Sequence, residues 1–157
     1  MSNILLTRID DRLIHGQVVS QWCTELKPDW MLVVNDEVAG DEMQQELMNM
    51  AAPAYAQTRY VTVDEAIYTL AKADEDQKIM ILVANPEDTL KLIEGGIPIK
   101  KVNIGNMDMK EGKHLVAPGV AVNEEDLNAF RQMEKDGVEL EIKKVPGMKA
   151  ESLDVLK

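Results

Sequence analysis

The stretch Ile79-Met80-Ile81-Leu82-Val83-Ala84-Asn85-Pro86 decides the fold class. Six successive apolar residues fall far short of the ~20 that cross a bilayer, and they read as a short strand buried on both faces. The residues that follow mark a helix three ways. Asn85 suits the N-cap, Pro86 suits the first helical position, and Gly95-Gly96 suit the exit. A doubly buried strand that runs straight into a capped helix is one βα unit of a sheet covered on both sides.

Working outward, the same alternation recurs in both directions. Residues 4–9 predict a strand, and Val18, Val19, Trp22, Cys23 and Leu26 then repeat at helical spacing, with Pro28 beyond the last turn. Residues 30–34 predict a second strand. Asp41, with Gln44 three positions on, caps a helix whose Met43, Leu47 and Met50 share a face; these methionines read as core filler. Residues 60–63 precede a helix carrying Ala66, Ile67, Leu70 and Ala71, and residues 101–104 form a strand after the Gly95-Gly96 exit. Residues 115–122 are extended but interrupted by Pro118 and Gly119, which predicts an edge strand. Asn123 caps a helix with Leu127, Phe130 and Met133, Gly137 ends it, and residues 138–145 give the last strand. The expected architecture is α/β: one domain over residues 1–157, a mainly parallel twisted sheet with helices on both faces, and one antiparallel edge strand. The tail from about residue 148 is expected to be loosely attached.

Composition narrows the function classes. At 157 residues with 45% hydrophobic and 29% charged side chains, the chain matches an ordinary globular domain with a packed core. Arg8, Asp10, Asp11 and Arg12 occupy the region where an export signal needs an apolar run, so the protein is expected to stay in the cytoplasm. One cysteine, Cys23, excludes an intrachain disulfide and a cysteine-based zinc cluster, and its apolar helical neighbours make it a core residue. With 28 acidic and 17 basic residues the net charge is −11, which opposes general binding to nucleic acid or anionic lipid. A phosphate site must therefore be local, built from a few placed arginines and backbone N–H groups.

In open α/β sheets ligands bind beyond the C-terminal ends of strands, so the loop after the first strand draws attention. There His15 follows Asp10-Asp11-Arg12-Leu13-Ile14 and precedes Gly16-Gln17 at the expected start of a helix. Free N–H groups and the helix dipole favour an anion at that point, and Gly16 lets the backbone approach a tetrahedral group. Arg12 and Arg8 can add charge-assisted hydrogen bonds to phosphate oxygens. A neutral imidazole is a nucleophile toward phosphorus without a metal, and Asp10 or Asp11 can hold its other ring nitrogen.

The segment Arg8-Ile9-Asp10-Asp11-Arg12-Leu13-Ile14-His15-Gly16-Gln17-Val18 closely resembles the active-site segment of IIB components of the sugar phosphotransferase system, mannose/sorbose family. Asn35-Asp36-Glu37-Val38-Ala39, Met50-Ala51-Ala52-Pro53, Asn85-Pro86, Gly95-Gly96-Ile97-Pro98 and Asn103-Ile104-Gly105-Asn106-Met107 resemble further family segments in the family's order. The resemblance implies a phosphoryl relay. A phosphohistidine on a IIA component donates to His15, which passes the group to a sugar translocated by membrane components IIC and IID. It further implies that Asp10 and Arg12 lie in the active-site loop, with Arg8 at its base and Arg8, Arg12, Gly16 and Gln17 around the phosphoryl group. No cofactor or metal is expected, and the IIA unit must come from elsewhere. The implied location is the cytoplasmic face of the membrane, through IIC and IID. A homo-oligomer is compatible with the sequence but is not encoded in any motif.

Two rival readings rank lower. Asp10-Asp11 and Asp64 mimic the acidic cluster of a receiver-like module phosphorylated on aspartate with Mg²⁺, yet Arg8, Arg12 and His15 crowd the same loop with the opposite charge logic. A non-transferring regulatory relative would be expected to show a degraded motif, and this one is intact. His114, in the polar run of residues 110–114, reads as a surface residue, and Asp36-Glu37 read as structural or partner contacts. Gly105-Asn106 read either as N–H donors to the site or as a turn.

Overall fold

The computed structural model describes residues 3–157, apart from the side chains of residues 17–19. Six strands form one sheet: β1 (Asn3–Asp10), β2 (Trp30–Val34), β3 (Gln57–Val61), β4 (Lys78–Val83), β5 (Lys101–Asn106) and β8 (Glu139–Ile142), in the spatial order β3-β2-β4-β1-β5-β8. Every pairing in it is parallel. The helices are α1 (Gly16–Leu26), the short α2 (Asp36–Ala39), α3 (Glu42–Ala51), α4 (Val63–Ala71), α5 (Pro86–Glu94) and α6 (Glu124–Lys135).

The alternation of β4 shows why its sequence is apolar throughout. Ile79, Ile81 and Val83 point into a core shared with α4, α5 and α6, whereas Met80 and Leu82 point into a second core with Trp22 and Cys23 of α1. A strand has a side-chain period of two, so a sheet covered on both faces needs both sets apolar. Asn85 caps α5 by accepting a hydrogen bond from the Asp88 N–H, and Pro86 opens the helix. Asp41 caps α3 through Gln44 as expected; Thr62 and Asn123 head reciprocal capping boxes on α4 and α6.

Three local expectations change. Residues 115–122 are antiparallel but do not edge the main sheet. They form a separate hairpin of β6 (His114–Ala117) and β7 (Val120–Val122), turned by Pro118 and Gly119, whose φ is +73°. β7 is wholly buried and bridges to Met107, so its apolar residues are core, not edge. The tail from residue 148 is attached: Glu151 donates its N–H to the Ile142 carbonyl, and Leu156, on a 3-10 helix (Leu153–Leu156), is buried in the main core. The third correction concerns α3. Its Met43, Leu47 and Met50 are 74%, 64% and 85% exposed, so these methionines are not core filler.

The connections place the site. From β1 the chain runs through α1 to β2 on one side; from the adjacent β4 it runs through α5 to β5 on the other. That divergence opens a crevice at the C-terminal ends of β1 and β4, where doubly wound sheets bind ligands.

Candidate functional site

Arg8 and Asp10 stand two residues apart on β1 and therefore face the same side of the sheet, under α1. Both are fully buried. Arg8 donates from Nη1 to the Asn103 side chain at 2.8 Å and to the Lys143 carbonyl at 3.2 Å, and from Nη2 to Asp10 Oδ2 at 3.3 Å. Its guanidinium also lies 5.8 Å from the Trp22 ring centroid. These contacts set Arg8, expected among the phosphate-binding residues, beneath the loop and not beside an incoming group. It has no surface left for a ligand, and it acts on the site by holding Asp10.

Asp10 is the hub. Oδ1 accepts from the Arg12 backbone N–H at 3.0 Å and from Arg12 Nε at 3.2 Å. Oδ2 is in reach of Arg12 Nη2 at 3.4 Å and His15 Nε2 at 3.1 Å. Burial alone would raise the pKa of this carboxyl. The hydrogen bonds from Arg12 and His15, with the nearby Arg8 charge, outweigh it and hold Asp10 below the usual carboxylate range. Burial in turn lowers the Arg8 pKa, against the attraction of Asp10.

The loop between β1 and α1 is shaped by two apolar anchors. Leu13 and Ile14 are buried in the core beneath α1, and Leu13 takes φ +58°, a left-handed conformation costly for a side chain with a Cβ. Its N–H closes the turn onto the Asp10 carbonyl at 2.9 Å. With those two side chains pulled inward, Arg12 and His15 emerge outward on either side of Asp10. His15 occupies the N-cap of α1 in extended conformation and makes no capping bond with its side chain. It stands directly before the first turn of the helix, where backbone N–H groups lack intrahelical partners.

Of the residues expected at the site, the fold brings together Asp10, Arg12 and His15 and buries Arg8 below them. Gly16 is the first residue of α1, and a Cβ there would meet nothing within 4 Å, so any crowding must come from an incoming group. Gln17 has its backbone in the first turn; its side chain lies outside the described residues. Asp11 does not reach the ring. It ties the loop to the end of β5, accepting from Asn106 Nδ2 at 2.8 Å and from the Asp108 N–H. The choice between Asp10 and Asp11 as ring partner therefore falls to Asp10. His114 is exposed on β6, and Cys23 is buried with its thiol pushed up to about 11 by burial.

Sequence reasoning missed the support from β5 and β8. Asn103 both accepts from Arg8 and donates to Glu141 and to the Lys143 carbonyl. Gly105 gives Arg8 its space: a Cβ there would lie 2.0 Å from Arg8 Cζ. Gly105 lies inside β5 and is not a turn residue. The expected strand stops at residue 104, so nothing in the sequence signals that Gly105 stands inside β5, where a glycine marks the close approach of another group.

Beside the loop lies a cleft of about 440 Å³ whose walls include Arg12, Asp36, Gln44, Met48, Asp88 and Lys113. Burial raises the Asp88 carboxyl, and the charge of Asp36 adds to this against Lys91. Asp36 also accepts from the Val63 N–H at 2.9 Å, so it is a structural contact at least on that side. Among the described residues no group of three or more His, Cys, Asp or Glu side chains is placed to hold a metal ion, and no helix is long and apolar enough to cross a membrane.

Comparison with known proteins places this geometry in a family. The model of the PTS system sorbose subfamily IIB component matches residues 4–156. The N-acetylgalactosamine-specific phosphotransferase enzyme IIB component 1 of Escherichia coli (strain K12) is 41% identical over 152 residues, covering 96% of each chain. The PTS system mannose-specific EIIAB component of the same organism is 41% identical over 142 residues, which span 89% of this chain and 44% of that longer one. Among solved structures, the IIBSor domain of the sorbose permease from Klebsiella pneumoniae superposes with a TM-score of 0.93 at 33% identity, covering 98% of this chain and 96% of that one. With its parallel sheet, its histidine-tipped loop after β1 and these matches along nearly its whole length, the chain belongs to the sorbose-subfamily IIB components of the sugar phosphotransferase system.

Proposed function

We propose that His15 is the phosphoryl carrier of this protein, taking the group from a IIA phosphohistidine and giving it to a sugar that enters through membrane components IIC and IID. The observation that carries this reading is the 3.1 Å contact between His15 Nε2 and Asp10 Oδ2. A buried carboxylate held ionised accepts the Nε2 proton, so the lone pair of the neutral ring sits on Nδ1. Nδ1 is the nucleophile. In the first step the N–P bond of the donor breaks as the Nδ1–P bond forms, with no net proton transfer. In the second, a sugar hydroxyl displaces Nδ1, the O–P bond forms, and the hydroxyl proton is released.

Between these steps the ring carries positive charge, and Asp10 balances it through Nε2–H. The phosphoryl oxygens meet the free N–H groups of α1 and the guanidinium of Arg12, whose Nη1 has no acceptor among the described residues. Transfer of this kind needs positioning and charge stabilisation, which these groups supply without a cofactor.

The mannose-specific relative carries its match within a longer EIIAB chain, which supports a IIA unit as the donor. Sugar choice rests mainly with the membrane components, and the relatives span N-acetylgalactosamine and mannose. The protein works in the cytoplasm, at the inner face of the membrane. The test is phosphorylation of the purified chain by a phosphorylated IIA donor, with and without chelator. An acid-labile, alkali-stable phosphoryl group on the His15 peptide, assigned to Nδ1 by nitrogen NMR and unaffected by chelator, is expected. Retained labelling in His15→Ala, labelling of His114, or a strict divalent-ion requirement overturns the reading.

A further inference from the structure

We propose that the outer face of α3, with the acidic segment around it, docks the protein onto a lysine- and arginine-rich cytoplasmic loop of the membrane component that carries the sugar. The inference rests on the carrier function proposed above and assigns that function a membrane-facing side.

α3 is a three-turn helix with no buried residue. Polar bonds orient it: Gln45 Nε2 donates to the Val38 and Ala39 carbonyls, and the Tyr60 hydroxyl donates to the Gln45 carbonyl and Asn49 Oδ1. That orientation turns its apolar stripe away from the core. Met43, Leu47 and Met50 recur at i, i+4 and i+7, and Tyr55, 59% exposed, follows shortly after the helix. A helix that packs Met48 and Ala51 against the core yet leaves a second apolar stripe in solvent is arranged for contact with something outside the fold. Methionine suits such a face because its flexible, polarisable side chain adapts to a partner.

Position ties the stripe to the chemistry. Gln44 and Met48 line the cleft that Arg12 and Leu13 also line. Met43 and Leu47 precede them by one residue, about 100° around the helix, so the stripe borders the cleft mouth. A partner seated on it reaches the active-site loop.

Charge selects the partner. Residues 28–58 contain six carboxylates, among them Asp36, Glu37, Glu42 and Glu46, and no lysine or arginine. The sheet order sets this segment on the β2 side of β1, whereas Lys143 and Lys144 follow β8 at the opposite edge. A donor that presents a phosphoryl group is repelled by the first side and attracted by the second. Cytoplasmic loops of membrane proteins carry an excess of lysine and arginine, which complements the acidic, apolar side.

The test uses the full chain and two surface variants, Leu47→Asp and the charge reversal Glu42→Lys/Glu46→Lys, each checked for an unchanged melting temperature. Three readings are taken: single-turnover uptake from phosphorylated IIA, transfer to sugar in vesicles containing IIC and IID, and co-sedimentation with those vesicles against plain lipid vesicles. Uptake should stay within about twofold, while vesicle transfer and co-sedimentation fall at least tenfold, and the wild type should not sediment with plain lipid. An equal loss in the uptake step would assign the face to the donor. Unchanged vesicle readings, binding of the wild type to plain lipid, or a wild-type dimer dissolved by Leu47→Asp would also overturn the proposal. Failure of the wild type to take up phosphoryl at all sinks the carrier function instead, and co-sedimentation still reads the docking.

Discussion

The guanidinium of Arg8 lies directly on the backbone of Gly105: a Cβ added to that glycine would sit 2.0 Å from Arg8 Cζ. An arginine is ordinarily free to swing away, but this one is fully buried and bonded to Asn103, the Lys143 carbonyl and Asp10. Gly105→Ala should therefore destabilise the protein by about 1–3 kcal/mol, as overpacking does in closed cores. Because Arg8 holds Asp10, transfer to His15 should slow in the same variant. Thermal melting and single-turnover labelling check the two effects, and an alanine variant with unchanged melting would mean that Arg8 has another place to go.

Asp10→Asn tests the hub. The change keeps the shape but removes the charge that balances buried Arg8, and the loss of one partner of a buried ion pair costs about 3–5 kcal/mol. The sign with pH follows from the lowered pKa. A depressed carboxyl contributes stability above its unfolded value, near 3.9, and loses it as pH falls through the folded value. The stability gap between wild type and variant, measured by urea unfolding, should be full at pH 7 and should shrink below about pH 4. A gap independent of pH would mean that the charge of Asp10 does not carry its contribution to stability.

Arg12 meets Asp10 through two nitrogens, Nε on Oδ1 and Nη2 on Oδ2, while its side chain stays 40% exposed. In the free protein this is a brace, and it leaves Nη1 open for the phosphoryl contact proposed above. Lysine keeps the charge but cannot make both contacts at once. Arg12→Lys should slow transfer by an amount on the order of 1.5–3 kcal/mol, roughly 10- to 150-fold, with stability changed by less than about 1 kcal/mol. Near-normal transfer rejects the phosphoryl contact, and a large fall in melting temperature makes the brace its main role.

Away from the site, Glu87 at the start of α5 is pushed up to about 7 by burial and by its hydrogen bond to, and repulsion from, Asp126, against the pull of Lys113. Lys113 bonds Asp126 at 3.0 Å. An acid with a raised folded pKa binds its proton more tightly when folded, so stability should fall as pH rises from about 4.5 through 7. Glu87→Gln removes that titration and should flatten the decline, with a gain at pH 8 of no more than about 1 kcal/mol over wild type, because solvent screens the partly exposed carboxylate. Urea unfolding between pH 5 and 8 measures it; parallel curves for the two proteins would show that Glu87 titrates normally.

The elements of this fold were legible because local physics writes them. Doubly apolar Ile79–Val83, the Asn85-Pro86 start of α5 and the Asp41 cap of α3 each report a requirement met within a few residues. His15 and Arg12 were legible for the same reason, as a short loop before a helix start. Pairing was less accessible: the Pro118-Gly119 segment closes a hairpin of its own, and nothing within those residues says which sheet they join. The tail reads as polar and loose because its anchors, Glu151, Leu153 and Leu156, meet their partners only in three dimensions.

What the sequence by itself determined is the order of strands and helices, the βα character of each unit and the loop that carries the histidine, since periodicity, caps and breakers act over a few residues. Tertiary structure alone decided the roles within that loop. It buried Arg8 against Gly105 and Asn103, chose Asp10 over Asp11 as the partner of His15, and turned Met43, Leu47 and Met50 outward. The physical reason is common to all three. A side chain's charge state, partner and exposure depend on which distant strands approach it, and residues about a hundred positions apart, such as Arg8 and Asn103, meet only when the sheet is assembled.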